Sequence, residues 1–208
     1  MKIAILGGTG KLGMALAGRL AESNKVIIGS RDPARAREAA KRIRGATGSD
    51  YEGASEEADV VVVAVPASAM GTIGELADAL SGKLVISAMN PLRVEGGLTY
   101  FDRDKGSAAE ELSKLLPGSR VTTAFNNIPP GFLRGGEVPP IDVLVAADSK
   151  EAFEETAEIV RSIPNLRPLY AGPLTQAAVV ESVTALAINL ANLNQTGSLS
   201  TKFASRKG

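Results

Sequence analysis

The chain has 208 residues, of which 44% are apolar, and this is enough for one α/β domain with a modest extension. Its 23 lysines and arginines balance 23 aspartates and glutamates, which argues against broad binding to nucleic acid or to anionic membranes. Cysteine and histidine do not occur, so disulfides, thiol nucleophiles and imidazole bases are excluded. Any chemistry must come from a cofactor or from carboxylates, hydroxyls, amides and lysines.

The first residues lead directly into a strand pattern, so we expect no signal peptide. No continuous apolar run approaches the roughly 20 residues that cross a bilayer. These observations predict a cytoplasmic protein that acts on small molecules and has neither a membrane nor a nucleic-acid partner.

In chain order, short apolar runs alternate with helical patterns, which is typical of a parallel sheet covered on both faces by helices. The predicted strands cover 2–6, 26–28, a short segment around Tyr51, 60–65, 84–86, 120–124, 141–146 and 166–170. The predicted helices cover 11–23, a segment starting at Asp32-Pro33, then 68–80, 107–116, 150–162 and 174–194. This order predicts a doubly wound Rossmann-type sheet that the last two strands extend, with a small C-terminal extension.

Two long irregular segments, 88–106 and 125–140, interrupt this pattern, and loops of such length are often functional. We find no linker or repeat, so we expect a single domain over 1–208. Its extension, from about 125 to 208, is expected to complete a second cofactor cleft.

A glycine-rich turn follows the first strand, as Gly8-x-Gly10-x-x-Gly13. Glycines in this pattern permit a tight turn, close approach of a pyrophosphate and tight packing of the next helix. The alternative is an ordinary strand-to-helix turn. We favour a dinucleotide cradle, with cofactor contacts from Gly8, Thr9, Gly10, Lys11, Leu12 and Gly13.

Ser30 and Arg31 stand after the second strand, where a carboxylate would bind a ribose 2′-hydroxyl. A hydroxyl and a guanidinium suit a 2′-phosphate instead, with support from Arg35 and Thr9, so we predict NADP(H). The competing interpretation takes Asp32 as the ribose-binding acid and predicts NAD(H). We favour Asp32 as a helix cap, because Pro33 follows it.

Further candidate residues lie where predicted strands end, since ligands of doubly wound sheets bind beyond the carboxyl ends of the strands. Pro66 either lines the nicotinamide or simply ends its strand. Three such strand ends form one candidate cleft, with cofactor-binding residues Val65, Pro66, Ala67, Met89, Asn90, Asn126, Ile128 and Pro129.

The last predicted helix carries Glu181 and Asn189 on or near an apolar stripe. A buried glutamate is either a general acid or, as we favour, a cap for a neighbouring backbone or a partner of an arginine. The stripe is broader than one domain of this size is expected to cover, so we predict a homodimer.

Taken together, several segments resemble the archaeal and actinobacterial NADP oxidoreductases that use coenzyme F420, a deazaflavin. The resemblance covers essentially the whole chain. It rests on the glycine turn 7–13, Gly29-Ser30-Arg31, Ile128-Pro129, the segment 166–174, Glu181-Ser182 and Lys202-Phe203.

This resemblance implies direct hydride transfer between nicotinamide C4 and deazaflavin C5, with no catalytic side chain and no metal. Asn126 and Ile128 would position the rings, and backbone near Ile128 and Leu199 would contact the deazaflavin. Family members carry a histidine where this chain has Asn126.

Two other functions remain open at this point. One is NADPH-dependent reduction of a flavin, a metal complex, or a small carbonyl or imine substrate. The other is a redox-sensing module that binds NADP without chemistry.

Overall fold

The computed structural model describes residues 1–204, apart from the side chain of residue 105. The strands are β1 (Lys2–Leu6), β2 (Lys25–Gly29), β3 (Thr47–Ser49), β4 (Val60–Val63), β5 (Leu84–Ser87), β6 (Leu92–Glu95), β7 (Leu98–Phe101), β8 (Arg120–Thr123), β9 (Ile141–Ala146) and β10 (Leu166–Gly172). Six of them form one parallel sheet in the order β3-β2-β1-β4-β5-β8. This is a Rossmann-type strand order, and the predicted fold class is confirmed.

Helices cover both faces of this sheet. They are α1 (Lys11–Leu20), α2 (Pro33–Ala40), α3 (Tyr51–Glu57), α4 (Met70–Gly74), α5 (Ala77–Leu80), α6 (Ala108–Leu115), α7 (Pro130–Leu133), α8 (Lys150–Arg161) and α9 (Ala177–Asn194), with short 3-10 turns at Ala67–Ala69, Arg103–Lys105 and Leu174–Gln176. Successive side chains of β1 enter different cores: Ile3 and Ile5 join one apolar cluster, and Ala4 and Leu6 join the other. A strand buried on both faces explains the continuous apolar runs of the sequence.

The prediction of a strand around Tyr51 was wrong. The third strand is Thr47–Ser49, and Tyr51 is instead the first residue of α3. Asp50 caps that helix, because its side chain accepts a hydrogen bond from the Gly53 amide. The predicted helix 68–80 is also broken, into a 3-10 turn followed by α4 and α5.

The segment 88–106 is not a structureless loop. Strands β6 and β7 pair in it as an antiparallel hairpin. Gly96 and Gly97 form the turn, both with positive φ, the conformation that two-residue hairpin turns require. The hairpin lies against α9, where Asn189 donates to the Thr99 carbonyl and accepts from the Thr99 amide.

Strands β9 and β10 do not extend the main sheet. They pair in parallel as a two-stranded sheet of their own. A single antiparallel bridge, Thr122 to Ala147, links them to β8. The hydroxyl of Thr123 accepts from the Ala146 amide, so a side chain occupies the place of a ladder hydrogen bond.

Within residues 1–204, one helical stretch, Leu174–Asn194, is long and apolar enough to cross a membrane by those two criteria, and 28% of an 18-residue window within it is buried. The expectation that no apolar run has such a length missed it, because Thr, Gln, Glu, Ser and Asn residues interrupt the run. One side of α9 packs on the domain, and the other leaves large side chains exposed: Val179, Leu186, Leu190 and Leu193.

Candidate functional site

The glycine turn after β1 is shaped by close backbone contacts. Gly7 has a φ of +83°, and a Cβ there would lie 2.5 Å from the Ala64 carbonyl oxygen. A Cβ on Gly13 would lie 2.4 Å from the Gly7 carbonyl oxygen, so no larger residue fits where α1 meets the turn. The expected tight packing at Gly13 is present, and Gly7, one residue before the predicted pattern, adopts the left-handed conformation.

The end of β2 presents a hydroxyl and two guanidinium groups. Ser30 is 7% exposed, and its hydroxyl accepts from the Asp32 amide. Asp32 caps α2, since its carboxylate accepts from the amides of Ala34 and Arg35. The expected role of Asp32 as a cap is therefore seen.

A cavity of about 700 Å³ opens between these two features. Arg31 and Arg35 line it and form no ion pair within the described part of the chain. Its wall is completed by the glycine turn, the end of β4, and α3, through Gly7, Thr9, Gly10, Ser30, Asp32, Tyr51, Ala64, Val65, Pro66, Ser68, Ala69 and Thr72. Free amides at the start of α1 and two unpaired cations fit a dinucleotide with an additional phosphate.

A second cavity, of about 710 Å³, also includes a residue from the start of α1: Leu12 lines it, whereas Gly10 lines the first. Its wall comes from the strand ends, from α9 and from the segment after α9. The lining residues are Leu12, Asn90, Asn126, Asn127, Ile128, Pro129, Pro130, Thr184, Ala187, Ile188, Ala191, Asn192, Gln195, Gly197, Ser198 and Leu199.

A network of amide side chains forms the floor of the second cavity. The Asn126 side-chain amide donates to the Met89 carbonyl over 2.8 Å, and the Asn126 backbone carbonyl accepts from Asn90 and Thr184. The side-chain oxygens of Asn126 and Asn127 are buried and have no hydrogen-bond partner in the structure. A buried acceptor without a donor is costly, so this floor fits a ligand that brings N–H groups.

The backbone conformation of Phe125 determines where the chain turns toward the second cavity. Its φ of +67° is unusual for a residue with a side chain, and its ring is fully buried. Such a conformation costs on the order of 1–2 kcal/mol and persists where the surrounding packing determines it. The turn that it makes brings Asn126 and Asn127 beneath the second cavity.

Glu181 is not a residue of either cavity. Its buried carboxylate accepts from the amides of Ala108 and Ala109 and from the Ser107 hydroxyl, at 2.9 to 3.0 Å. Burial raises the pKa of Glu181 to about 7 in spite of these three donors. The favoured interpretation, a cap for a neighbouring backbone, is confirmed.

Most predicted site residues lie in the two cavities. Thr9, Gly10, Ser30, Arg31, Arg35, Val65 and Pro66 line the first, and Leu12, Asn90, Asn126, Ile128, Pro129 and Leu199 line the second. The residues outside both linings are Gly8, Lys11, Gly13, Ala67 and Met89. The Met89 side chain is 1% exposed and belongs to the core. Its contribution to the site is its backbone carbonyl, which accepts from the Asn126 side chain.

Residue-based reasoning missed Tyr51 and Thr184. The capping signal at Asp50 could have placed Tyr51 at the start of a helix facing the first cavity. Thr184 offers no local signal, because its role depends on how α9 packs against the strand ends.

The fold and the first cavity define a Rossmann-type protein whose site fits a dinucleotide. The family model for coenzyme F420-dependent NADP oxidoreductases matches residues 2–91. The F420-dependent NADP reductase of Methanothermobacter marburgensis is 40% identical over 209 residues, covering 91% of this chain and 92% of the relative. That of Methanocaldococcus jannaschii is 36% identical over 206 residues, covering 91% and 92%. The chain therefore belongs to the F420-dependent NADP reductase family.

A solved structure agrees on the fold. A crystal structure from Arthrobacter sp. FB24, described as a candidate F420-dependent NADP reductase, superposes with a TM-score of 0.86 at 23% identity, covering 99% of this chain and 100% of the other. The predicted cofactor pair, NADP and F420, is confirmed by the curated relatives. The leading functional prediction, an oxidoreductase acting between NADP(H) and F420, is confirmed with it.

Proposed function

We propose that this chain holds NADP(H) in the first cavity and coenzyme F420 in the second, so that hydride passes directly between the two rings. The observation that carries this assignment is that both cavities include a residue from the start of α1, one cavity with free cations and one with unpaired amide oxygens. The bound cofactors supply the redox chemistry, since nicotinamide and deazaflavin rings exchange a hydride.

In this assignment the N-terminal half anchors the dinucleotide. The glycine turn and the first amides of α1 bind the pyrophosphate, and Arg31, Arg35 and Ser30 bind the 2′-phosphate. Gly8, Lys11 and Gly13 act through the backbone shape of the turn. Val65, Pro66 and Ala67 guide the nicotinamide end toward the second cavity.

The extension from about 125 onward would complete the second cleft. Asn126, in place of the family histidine, would accept an N–H of a carboxamide or ring through its unpaired oxygen. Ile128, Pro129 and Leu199 would hold the deazaflavin by apolar contact and exclude water. Two rings held close and parallel need no side-chain acid or base.

A direct assay tests this function. The protein is mixed with reduced F420 and NADP, and the deazaflavin absorbance is followed. We expect the absorbance of oxidised F420 to appear in step with NADPH. No turnover with any nicotinamide cofactor would overturn the proposal.

We also propose a cytoplasmic homodimer in which the exposed side of α9 meets a second copy. The apolar side chains on this side are large and contiguous in the helix, and Leu186 and Leu193 are 59% and 69% exposed. A bilayer location does not suit α9, because Glu181 and Thr184 bind it to α6 and to the Asn126 backbone.

A further inference from the structure

The residues after α9 fold back over the second cavity. We call residues 196–203 the C-terminal strap. Gly197, Ser198 and Leu199 line the cavity, so the strap forms part of its wall. The strap has no helix or strand of its own, and its position therefore depends on contacts with the rest of the domain.

Hydrogen bonds to two neighbouring segments hold the strap. Ser200 donates to the Asn127 backbone carbonyl over 2.6 Å, and the Asn127 side-chain amide donates to the Thr201 hydroxyl over 2.5 Å. Thr201 makes two hydrogen bonds to the backbone of Asp142. Its carbonyl accepts from the Asp142 amide, and its hydroxyl donates to the Asp142 carbonyl. The strap is thus paired with β9 over one residue only.

The side chain of Asp142 makes the charged contact to the strap. Its carboxylate is 0% exposed and accepts from the Phe203 amide over 2.5 Å and from Lys202 over 3.2 Å. Arg167, on β10, donates two hydrogen bonds to the same carboxylate, at 2.7 and 2.8 Å, and a third to the Phe203 carbonyl.

Two of these groups stay with the domain and two belong to the strap. Arg167 and Asp142 lie on paired strands, whereas Lys202 and the Phe203 amide leave if the strap opens. Opening would remove two donors from the carboxylate, and hydrogen bonds to a charged group are the strong ones. Burial alone would raise the pKa of Asp142, but the donors from Arg167, Phe203 and Lys202 outweigh it and lower the pKa to about 2.

We propose that Asp142 is a positioning residue for the second substrate, because its carboxylate fastens the strap whose Leu199 forms the cavity wall. The inference rests on the proposed function in placing F420 in this cavity. Asp142 touches neither ring, and it acts through the strap.

The first test is Asp142→Asn, which keeps the size of the side chain and removes its charge. We expect the KM for F420 to rise at least tenfold, while kcat changes less than twofold and the Kd for NADP stays within twofold. Asp59→Asn is the matched control, since Asp59 also accepts from a backbone amide, that of Lys2, far from both cavities. An unchanged KM for F420 in Asp142→Asn would overturn the proposal.

A readout without cofactors tests the same contact. Hydrogen exchange of the strap amides, followed by mass spectrometry on the free protein, is expected to be at least tenfold faster in Asp142→Asn than in the parent and in Asp59→Asn. Strap amides that stay protected in the variant would refute the role of Asp142. This outcome is separate from a failure of the proposed function, which would show as absent F420 turnover in the parent protein.

A second variant guards against a general folding defect. A chain that ends after Gln195 lacks the strap, and one that ends after Ala204 keeps it and serves as its control. We expect the first to show the same rise in KM for F420, and Asp142→Asn added to it to cause no further rise. An additional rise of tenfold in the shortened chain would show that Asp142 acts by another route.

Discussion

Arg31 governs the preference for NADP(H) in the proposed assignment. We predict that Arg31→Ala weakens NADP(H) binding by about 1.5–3 kcal/mol, the range for hydrogen bonds to charged groups, which is about 10- to 150-fold in Kd. Titration of the nicotinamide cofactors by calorimetry measures this, and NAD(H) binding should change little because it has no 2′-phosphate.

Arg37→Ala provides the matched control for that substitution. Arg37 lies on α2, the helix that follows Arg31, is exposed and does not line the cavity. A Kd for NADP that rises equally in both variants would assign the effect to overall charge, and an unchanged Kd in Arg31→Ala would remove the phosphate assignment.

We predict opposite changes in the free energy of unfolding for alanine substitutions at two glycines of α1. Gly13→Ala places a Cβ against the Gly7 carbonyl, so we expect the free energy of unfolding to fall by about 1–3 kcal/mol. Gly18→Ala meets no atom within 4 Å, and we expect a rise of about 0.5–1 kcal/mol from helix propensity alone. Urea unfolding of the pair measures both. Equal effects at the two positions would contradict the contact.

At the scale of elements, Glu181 ties α9 to the N-terminus of α6, and its pKa makes this connection depend on pH. Its pKa in the folded protein is about 7, against an ordinary 4.5. The folded state therefore retains the proton more strongly. The contribution of Glu181 to the free energy of unfolding is greatest below pH 4.5 and is lost as pH rises through about 7. The loss amounts to about 3 kcal/mol.

Comparison with Glu181→Gln isolates this effect from other titrating groups. We predict that the unfolding free energy of the parent, minus that of the variant, decreases between pH 4.5 and pH 8 at fixed protein concentration. Urea unfolding at several pH values measures the difference. A difference that stays constant or increases with pH would show that Glu181 is charged throughout.

The main-sheet strands and the glycine turn could be predicted because each rests on local information. Apolar runs that are buried on both faces, such as 60–63, are visible in the sequence itself. The hairpin β6-β7 also had a local signal, Gly96-Gly97 between two alternating runs, which residue-based reasoning overlooked. The error at Tyr51 has the same cause, since Asp50 is a helix cap.

The arrangement of β9 and β10 could not be predicted in this way. Their apolar patterns are those of any parallel strand, and nothing in them indicates that the Ala146 amide donates to the Thr123 hydroxyl rather than to a backbone carbonyl of β8. The second cavity depends on similar long-range placement. Asn126, Thr184 and Leu199 lie far apart in the chain and meet only after α9 has packed.

At the scale of the whole molecule, the exposed side of α9 leads to a prediction about mass. We expect twice the chain mass of 21.5 kDa in solution, and Leu186→Glu to yield a monomer, because a charge in an apolar interface is costly. Light scattering after size exclusion measures both. Glu158→Gln on α8 is a surface control, and a monomeric parent protein would refute the dimer.

The strap also sets an order of events during synthesis. The lining of the first cavity comes entirely from residues 7–72, whereas the second needs residues as late as Leu199. A ribosome therefore releases every lining residue of the first cavity long before it releases the last lining residue of the second. The lining residues of the two cavities therefore leave the ribosome as two sets, and the set next to the strap is complete last.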